Sequence, residues 1–261
     1  MNDVFEGRSL ADTHVHLDIH DGLTDPAQCL MLAEAANLNI VVPADHNRIN
    51  RALEALRLAQ EREHKVSVIP GIEITTLEGH LLALFPPGIT AVETPPGYKF
   101  DQTVKMIHDK GALAVIPHIG LGPSTFSVSP NTLDAFYQLG GKVEGMEIMH
   151  PNFTQGHAEQ AKKISIEKQI SGLGGSDDHV GNLGRGPITL YPGITVKDFL
   201  ESINRGTTIA IRSREGPLNI SLARQLLHLL KTQGPGSDLP IILSSIVRLQ
   251  REQYRRMVQG K

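Results

Sequence analysis

Short apolar segments typical of β-strands alternate with helical patterns along most of this chain, and this alternation constrains its fold more than any other feature. The strand patterns cover residues 10–16, 39–44, 66–73, 79–85, 112–117, 143–149, 172–176 and 207–211. The helical patterns cover residues 26–37, 48–63, 101–110, 129–138, 157–169 and 196–204. Because strands that alternate with helices are usually joined by crossovers, the pattern predicts an α/β domain with mostly parallel strands.

Histidines and carboxylates stand at the ends of these strand patterns. In His14-Val-His16 and Asp177-Asp-His179, alternate residues of an extended chain project from one face, so each pair can approach the same ion. A lone histidine there is more often a hydrogen-bonded core residue, but repetition at successive strand ends favours a metal site. Imidazole and carboxylate suit zinc, manganese or iron, and so large a set predicts more than one ion. The candidate ligands are His14, His16, Asp21, His46, Glu73, His80, His118, Asp177 and His179.

The spread of these candidate ligands also bears on the topology. An open doubly wound sheet gathers its ligands at one switch point, whereas nearly every strand pattern of this chain contributes one. We therefore expect a closed, TIM-like barrel.

Size and composition fit one large globular domain. The 261 residues are 40% hydrophobic and 20% charged, and a formal net charge of -3 gives no overall attraction to nucleic acid or to a membrane. The single cysteine, Cys29, falls in a helical pattern and is expected in the core. Neither a signal-peptide pattern nor a run of 18 apolar residues occurs, so we expect a cytoplasmic protein without a membrane partner.

The pattern changes after about residue 216. Residues 1–216 form the predicted barrel domain, and residues 217–261 form a predicted helical extension. Residues 241–258 end in arginines but also carry an ordinary apolar stripe. A solvent-facing basic surface is therefore favoured there over a contact with nucleic acid or membrane.

Six motifs follow one another in the predicted barrel domain. They are His14-Val-His16-Leu-Asp-Ile-His20-Asp21-Gly22, Ala44-Asp45-His46-Asn47, Pro70-Gly71-Ile72-Glu73, Gly79-His80-Leu-Leu-Ala-Leu, Ile116-Pro117-His118 and Gly175-Ser176-Asp177-Asp178-His179. In this order they resemble the PHP (polymerase and histidinol phosphatase) superfamily of metal-dependent hydrolases. Leu17, His20 and Ala44 stand where that family usually has Thr, Ser and Thr. The second and fourth motifs look most like the branch that contains CehA/McbA-type metallohydrolases.

The resemblance implies a distorted (β/α)7 barrel that holds two or three divalent ions, manganese, iron or zinc, at the carboxyl ends of its strands. By the same resemblance, one ion takes His14, His16, Glu73 and Asp177, a second takes Asp21, His46 and His179, and a third takes Glu73, His80 and His118. Glu73 then bridges two ions. Glu147 and His150 follow another strand pattern, and two roles stay open for them: support of a ligand or a place in the rim.

Such a site favours a phosphoesterase that acts on a phosphomonoester, a nucleotide or the end of a short nucleic acid, because divalent ions bind phosphate and activate water. Asp45 and Asp178 are candidates for proton transfer or for holding ligands, with capping of nearby backbone as the alternative. Arg185 is predicted to act in catalysis by binding a phosphate oxygen. Further substrate contacts are predicted for His20, Arg212 and Arg214.

Two other functions stay open at this point. One is hydrolysis of esters or carbamates, which the CehA/McbA resemblance permits. The other is a metal-stabilised binding or regulatory domain without activity, although retention of the whole ligand set argues against it. The sequence leaves the identity of the metals, the natural substrate and the oligomeric state undetermined.

Overall fold

The computed structural model describes residues 6–18, 22–89, 94–122 and 125–213, and these contain ten strands and six helices. The strands are β1 (Arg8–Val15), β2 (Ile40–Pro43), β3 (Ser67–Val68), β4 (Gly71–Thr75), β5 (His80–Leu84), β6 (Leu113–Ile116), β7 (Gly145–Met149), β8 (Ser171–Gly174), β9 (Pro187–Pro192) and β10 (Ile209–Arg212). The helices are α1 (Pro26–Ala35), α2 (Asn50–Glu61), α3 (Phe100–Asp109), α4 (Pro130–Gln138), α5 (Gln155–Glu167) and α6 (Val196–Arg205). The predicted mixture of strands and helices is confirmed.

Local capping explains why several helices begin where the sequence indicates. Asp25 accepts a hydrogen bond from the backbone of Gln28, and Pro26 occupies the first helical position of α1. Ser129 caps α4 in the same way, again followed by a proline. Thr154 and Thr195 provide the side-chain oxygens that cap α5 and α6. Each cap satisfies a backbone N–H that has no partner inside the helix, so these starts are encoded within a few residues.

The strands form two five-stranded sheets, in the orders β10-β9-β1-β2-β3 and β4-β5-β6-β7-β8. A single bridge joins Val15 to Asp178 at one seam between the sheets, and another joins His46 to Glu73 at the second seam. Within the described residues, the hydrogen-bonded ladders do not close into the expected continuous (β/α)7 barrel. The two seams are nevertheless where candidate ligands meet.

Strand directions also differ from the expected parallel arrangement. β1 runs antiparallel to β9, β9 to β10, β4 to β5 and β5 to β6, whereas the ladders β1–β2, β2–β3, β6–β7 and β7–β8 are parallel. Only residues 76–79 connect β4 to β5, which is a hairpin length and far too short for a helical crossover. The predicted strand 66–73 is divided into β3 and β4 by Ile69-Pro70. Strand β9 has a proline at each end and was not predicted.

A buried apolar layer separates the two sheets and is covered by helices outside. Ile40 and Val42 of β2 belong to the same buried cluster as Leu82 and Leu84 of β5. Helices α1 and α2 pack on the first sheet, while α3 and α5 pack on the second. Each large side chain buried in this way contributes about 1.5–3 kcal/mol to folding. The packed layers therefore leave the strand ends as the place where polar side chains gather.

Several predictions from the sequence fall outside the described residues. They concern Asp21 as a metal ligand, His20 and Arg214 as substrate contacts, and the helical extension 217–261. Within the described part of the chain, no helix is both long and apolar enough to cross a membrane.

Candidate metal centre

Candidate ligands from both sheets converge at one end of the molecule. His14 is the second-last residue of β1, and His16 follows the strand directly. His46 follows β2, and Asp177 and His179 follow β8. Glu73 lies within β4, next to the seam with His46. His80 begins β5, and because β5 is antiparallel to β4, its first residue lies at the same end as the last residues of β4. His118 follows β6.

The carboxylate of Glu73 lies at the centre of this group, and its side chain is only 1% exposed. Its Oε2 lies 3.4 Å from His14 Nε2, 3.3 Å from His16 Nε2 and 3.1 Å from His46 Nδ1, and its Oε1 lies 2.8 Å from His80 Nδ1 and 3.0 Å from His118 Nε2. A carboxylate has about four lone-pair positions, and five imidazoles face this one. Glu73 is therefore placed as a bridging ligand would be.

One set of ligand atoms has the spacing of a tetrahedral site. The two Nε2 atoms of His14 and His16 lie 3.0 Å apart, and they lie 3.7 Å and 3.3 Å from Asp177 Oδ1. Ligand atoms about 2.0–2.2 Å from a tetrahedral zinc ion lie about 3.3–3.6 Å from one another. Together with Glu73, these residues are the four that the resemblance assigns to the first ion, and the structure brings them together.

His46 belongs to two groups of ligands, which differs from the assignment that the family resemblance implies. His46 groups with Glu73 and His80, and also with His16 and His179, so it lies between the two sets to which the family assigns separate ions. The rings of His16 and His179 stack with centroids 4.0 Å apart. Asp21, the remaining ligand assigned to the second ion, lies outside the described residues. The residues present fit divalent metal binding, since they supply imidazole and carboxylate groups around a shared carboxylate.

Known proteins resemble this chain in part of its sequence and in its fold. No protein-family model matches the chain. An uncharacterised protein of Methanocaldococcus jannaschii is 31% identical over 119 residues, which are 41% of this chain and 66% of that protein. A two-domain protein from Bacteroides vulgatus, which contains a predicted PHP-like metal-dependent phosphoesterase, superposes with a TM-score of 0.65 and 18% identity, over 79% of this chain and 65% of that one.

The chain has the PHP fold. The fold resemblance that the motifs predicted is thereby confirmed, whereas the place in the CehA/McbA-type branch stays a prediction. An amidohydrolase from Chromobacterium violaceum, whose structure contains sulfate and no metal, also superposes, with a TM-score of 0.55 and 15% identity over 77% of this chain and 97% of that one. The matches span just under two thirds of the Methanocaldococcus and Bacteroides proteins.

In this PHP fold, buried groups behind the ligands hold the imidazole rings in place. His14 Nδ1 donates to Glu147 Oε1 at 3.0 Å, which leaves Nε2 directed at Glu73 and Asp177. The other oxygen of Glu147 accepts from the backbone N–H of His118 at 2.8 Å. Glu147 is completely buried, so of the two roles left open for it, support of a ligand is the one that its contacts match.

His150 supports the carboxylate of Asp177. The backbone N–H of Asn152 donates to His150 Nδ1, so the proton of this ring lies on Nε2, which is 3.2 Å from Asp177 Oδ2. Asp177 Oδ1 is left facing His14 and His16. The φ angles of Asp177 and His118 are +46° and +32°, which are uncommon for residues other than glycine. Such backbone strain is often found at functional sites.

The electrostatics of the cluster favour ionised carboxylates beside positive charge. Burial opposes ionisation of Glu73, but His14 and hydrogen bonds from its histidine neighbours lower its pKa well below the usual range. Burial also opposes ionisation of Asp177, but the nearby His179 and His14 lower its pKa well below the usual range. For His16, burial is outweighed by hydrogen bonds to Asp177 and Glu73, which raise its pKa to about 9. Metal ions that bind here must therefore compete with protons.

Asp45 and Asp178 use their carboxylates on nearby backbone. Asp45 Oδ1 accepts from the N–H groups of Leu17 and Asp18 at 2.5 Å and 2.8 Å, which shapes the segment after His16. Asp178 accepts from the backbone of residues 180–182 at 2.8–3.0 Å. These contacts match the capping alternative, and a catalytic role for either residue stays a prediction.

Two of the predicted arginines, Arg185 and Arg212, lie in the described segment from β8 to β10. Arg185 is half-buried in the loop between β8 and β9, and its backbone N–H donates to Asn182 O. Arg212 ends β10, is exposed, and pairs in register with Pro187. Their roles in substrate binding stay predictions. Sequence reasoning overlooked Arg48, two residues after His46, which contacts Asp18 at 2.9 Å and has a 64% exposed side chain.

Asp12 is a second residue that sequence reasoning overlooked. It is fully buried and accepts from the backbone N–H groups of Ser176 and Gly184 at 3.0 Å and 2.8 Å. Burial, only partly offset by these hydrogen bonds, raises its pKa to about 6. Asp12 thereby connects β1 to the segment that carries Asp177. The signal that could have identified Asp12 is a charged residue inside an apolar strand pattern.

Proposed function

We propose that this chain is a metal-dependent phosphoesterase that hydrolyses a phosphomonoester, a nucleotide or the end of a short nucleic acid. The observation that carries the proposal is the buried Glu73 carboxylate, surrounded by five histidines with Asp177 beside them. The PHP-like phosphoesterase domain in the superposing Bacteroides protein supports the same reaction class.

The proposed cofactors are two or three divalent ions, manganese, iron or zinc. His14, His16, Glu73 and Asp177 would hold one of them, while His46, His80, His118 and His179 would complete the others around Glu73. When bound, such ions activate a water molecule and stabilise the charge that develops on phosphate. Glu147 and His150, through their contacts with His14 and Asp177, would hold these two ligands in place when an ion binds.

Substrate would approach from the side of His46 and His179. The side chain of His46 is 37% exposed and that of His179 is 14% exposed, whereas His14 and His16 are fully buried. The buried histidines can only hold ions, but the exposed side can also receive a phosphate group. We propose that Arg185 binds a phosphate oxygen there, with Arg212 as a second cation.

Two alternatives are kept for the experiment to decide. Hydrolysis of an ester or carbamate would use the same activated water, and the superposing amidohydrolase makes attack at a carbonyl group worth testing. A metal-stabilised domain without activity would bind the same ions without turnover.

The test is a measurement of metal content and hydrolysis on the same sample. We expect more than one ion per chain after reconstitution with manganese or zinc, phosphate release from phosphomonoesters or nucleotides, and loss of both on chelation. Glu73→Gln should lower the rate by more than about 100-fold, because loss of a group that only supports a ligand already costs about 10- to 100-fold.

Glu144→Gln is the control, since the Glu144 carboxylate also lies beside a histidine, 3.0 Å from His108 Nε2, but contacts no candidate ligand. Turnover of carbamates without phosphate release would favour the first alternative. Tight binding of several ions without turnover of any substrate would favour the second.

A further inference from the structure

The ring of Phe126 lies on the ring of His80 at the mouth of the metal centre. The two ring centroids are 5.5 Å apart and the planes are inclined by only 14°, so the rings are stacked. Nδ1 of His80 is 2.8 Å from Glu73 Oε1, which places Phe126 one side chain away from the central carboxylate. Despite this contact, Phe126 is 58% exposed. The ring of Phe126 therefore stacks on His80 while more than half of the residue stays open to solvent.

The backbone holds Phe126 in this exposed position although two contributions to the folding free energy oppose it. Its φ is +47°, which is an outlier for a bulky residue, and an exposed aromatic ring gains little from burial. The carbonyl of Phe126 accepts from the N–H of His80 at 2.7 Å. A Cβ atom on Gly79 would lie 2.9 Å from the same carbonyl oxygen, so the loop packs tightly on the β4–β5 hairpin. Backbone contacts therefore hold the Phe126 segment against the segment that carries the candidate ligand His80.

The hairpin carries further exposed apolar surface on its other side. Leu77 is 68% exposed, and its N–H donates to the carbonyl of Tyr98, which is 44% exposed. Within the described residues, Tyr98 and Phe126 are the two exposed Phe or Tyr residues, and this hairpin contacts both segments. Both therefore belong to segments whose backbone bonds to the hairpin that carries His80.

We propose that Phe126 is a stacking platform for the base of a nucleoside phosphate, so that the substrate class of this site is nucleotides or nucleic-acid ends. This inference rests on the proposed phosphoesterase function. A planar base can continue the stack of His80 and Phe126 while its phosphate lies over the ligands around Glu73. Stacking on an aromatic side chain tolerates any base, because every base has a π-face.

Other occupants fit the same observations less well. An acyl chain has no planar group to match a ring that is stacked parallel to an imidazole. A second copy of the chain would cover Phe126 as well, but it would place protein over the exposed side of the metal centre, next to His46.

The test compares hydrolysis of adenosine 5′-monophosphate with that of ribose 5-phosphate, which has the same sugar and phosphate but no base. In the wild-type protein, kcat/KM for the nucleotide should exceed that for the sugar phosphate by about 10- to 100-fold, the range for one stacked base. Phe126→Leu, which keeps an apolar side chain but no ring, should bring the ratio close to one. Phe126→Tyr should keep most of it.

Leu139→Ala is the control for loss of an exposed apolar side chain, because Leu139 is 86% exposed at the carboxyl end of α4. It should leave the ratio unchanged. A kcat/KM ratio near one in the wild type would contradict the proposed stacking role of Phe126. An unchanged high ratio in Phe126→Leu would also contradict it. A change in oligomeric state in Phe126→Leu with an unchanged ratio would assign Phe126 to a contact between copies and would also overturn it.

Failure of the proposed function has a different result. If the metal-loaded protein hydrolyses neither compound, the proposed activity on phosphomonoesters fails, and calorimetric titration with the same two compounds then decides whether Phe126 binds the base. Tighter binding of adenosine 5′-monophosphate that is lost in Phe126→Leu supports it. Equal binding of the two compounds contradicts it.

Discussion

Glu147 connects two candidate ligands through one buried carboxylate. It holds the ring of His14 and the backbone of His118, which come from different strands. Glu147→Gln cannot accept from both, because one of its two oxygens becomes an NH2 group. We expect metal affinity to fall by about 10- to 100-fold, measured by titration against a competing chelator.

The matched control for Glu147 is again Glu144→Gln. Glu144 accepts from the backbone of Ala114 at 2.9 Å and lies 3.0 Å from the ring of His108, so it makes the same two kinds of contact outside the site. Its replacement should affect stability but leave metal affinity unchanged. Equal metal affinities in the two variants would remove the positioning role of Glu147.

Arg185 allows a second prediction at the scale of one residue. If its guanidinium binds a phosphate oxygen, Arg185→Ala should leave metal content intact and lower phosphoester turnover by about 10- to 1000-fold. Arg185→Lys should recover part of the loss, because a single ammonium group cannot form a bidentate contact. An unchanged kcat/KM would make Arg185 a surface residue and direct attention to Arg212 and Arg48.

At the scale of elements, the β4–β5 hairpin connects two parts of the site. Gly79 has a φ of +140°, and a Cβ atom there would lie 2.5 Å from the backbone nitrogen of Val128. Gly79→Ala should therefore displace the loop that follows His118. We expect a loss of about 2–4 kcal/mol in the free energy of unfolding, measured by denaturant titration, together with weaker metal binding.

Gly88→Ala separates backbone strain from collision. Gly88 also has a positive φ, +98°, but a Cβ atom there would meet nothing within 4 Å. This variant should lose only the cost of the strained backbone, about 1–3 kcal/mol, and should bind metal normally. If Gly79→Ala also binds metal normally, the hairpin and the loop do not act as one unit.

The elements differ in how much of them could be predicted. The six helices of the described residues were all predicted, because apolar periodicity and caps such as Asp25 and Ser129 are local signals. Strand β9 was missed, because its six residues are bounded by prolines and lack the alternation of a half-buried strand. Strand direction was wrong for β5, since the four residues before it were not recognised as a hairpin turn.

At the scale of the whole molecule, the candidate metal ligands come from both sheets. His14, His16 and His46 come from the first sheet and its connections, whereas Glu73, His80 and His118 come from the second. Ions bound by both groups stabilise only the folded chain. With free metal at about 100 to 1000 times the dissociation constant, this linkage contributes about 3–4 kcal/mol.

Chelation should therefore lower the melting temperature by about 6–16 °C in a calorimetric scan. Glu73→Gln should melt at a lower temperature and respond less to the chelator, because it loses a ligand shared by both sheets. An equal response of the two proteins would mean that the ions are not held between the sheets.

The sequence by itself determined the helices of the described residues, the mixture of strands and helices, and which residues are candidate ligands. These depend on short-range features: the period of apolar residues, capping side chains, and pairs such as His14 and His16 that share a strand face. The motifs also carried the resemblance to the PHP fold. Each of these signals lies within a few residues of chain.

Tertiary structure alone decided how the strands divide into two sheets, how His46 is shared, and what supports the ligands. The contact between His14 and Glu147 spans 133 residues, and the contact between His150 and Asp177 spans 27. The exposed position of Phe126 depends on its backbone bond to His80, on a different strand. Such contacts are set by packing between distant segments, and no local pattern encodes which distant residue will be the partner.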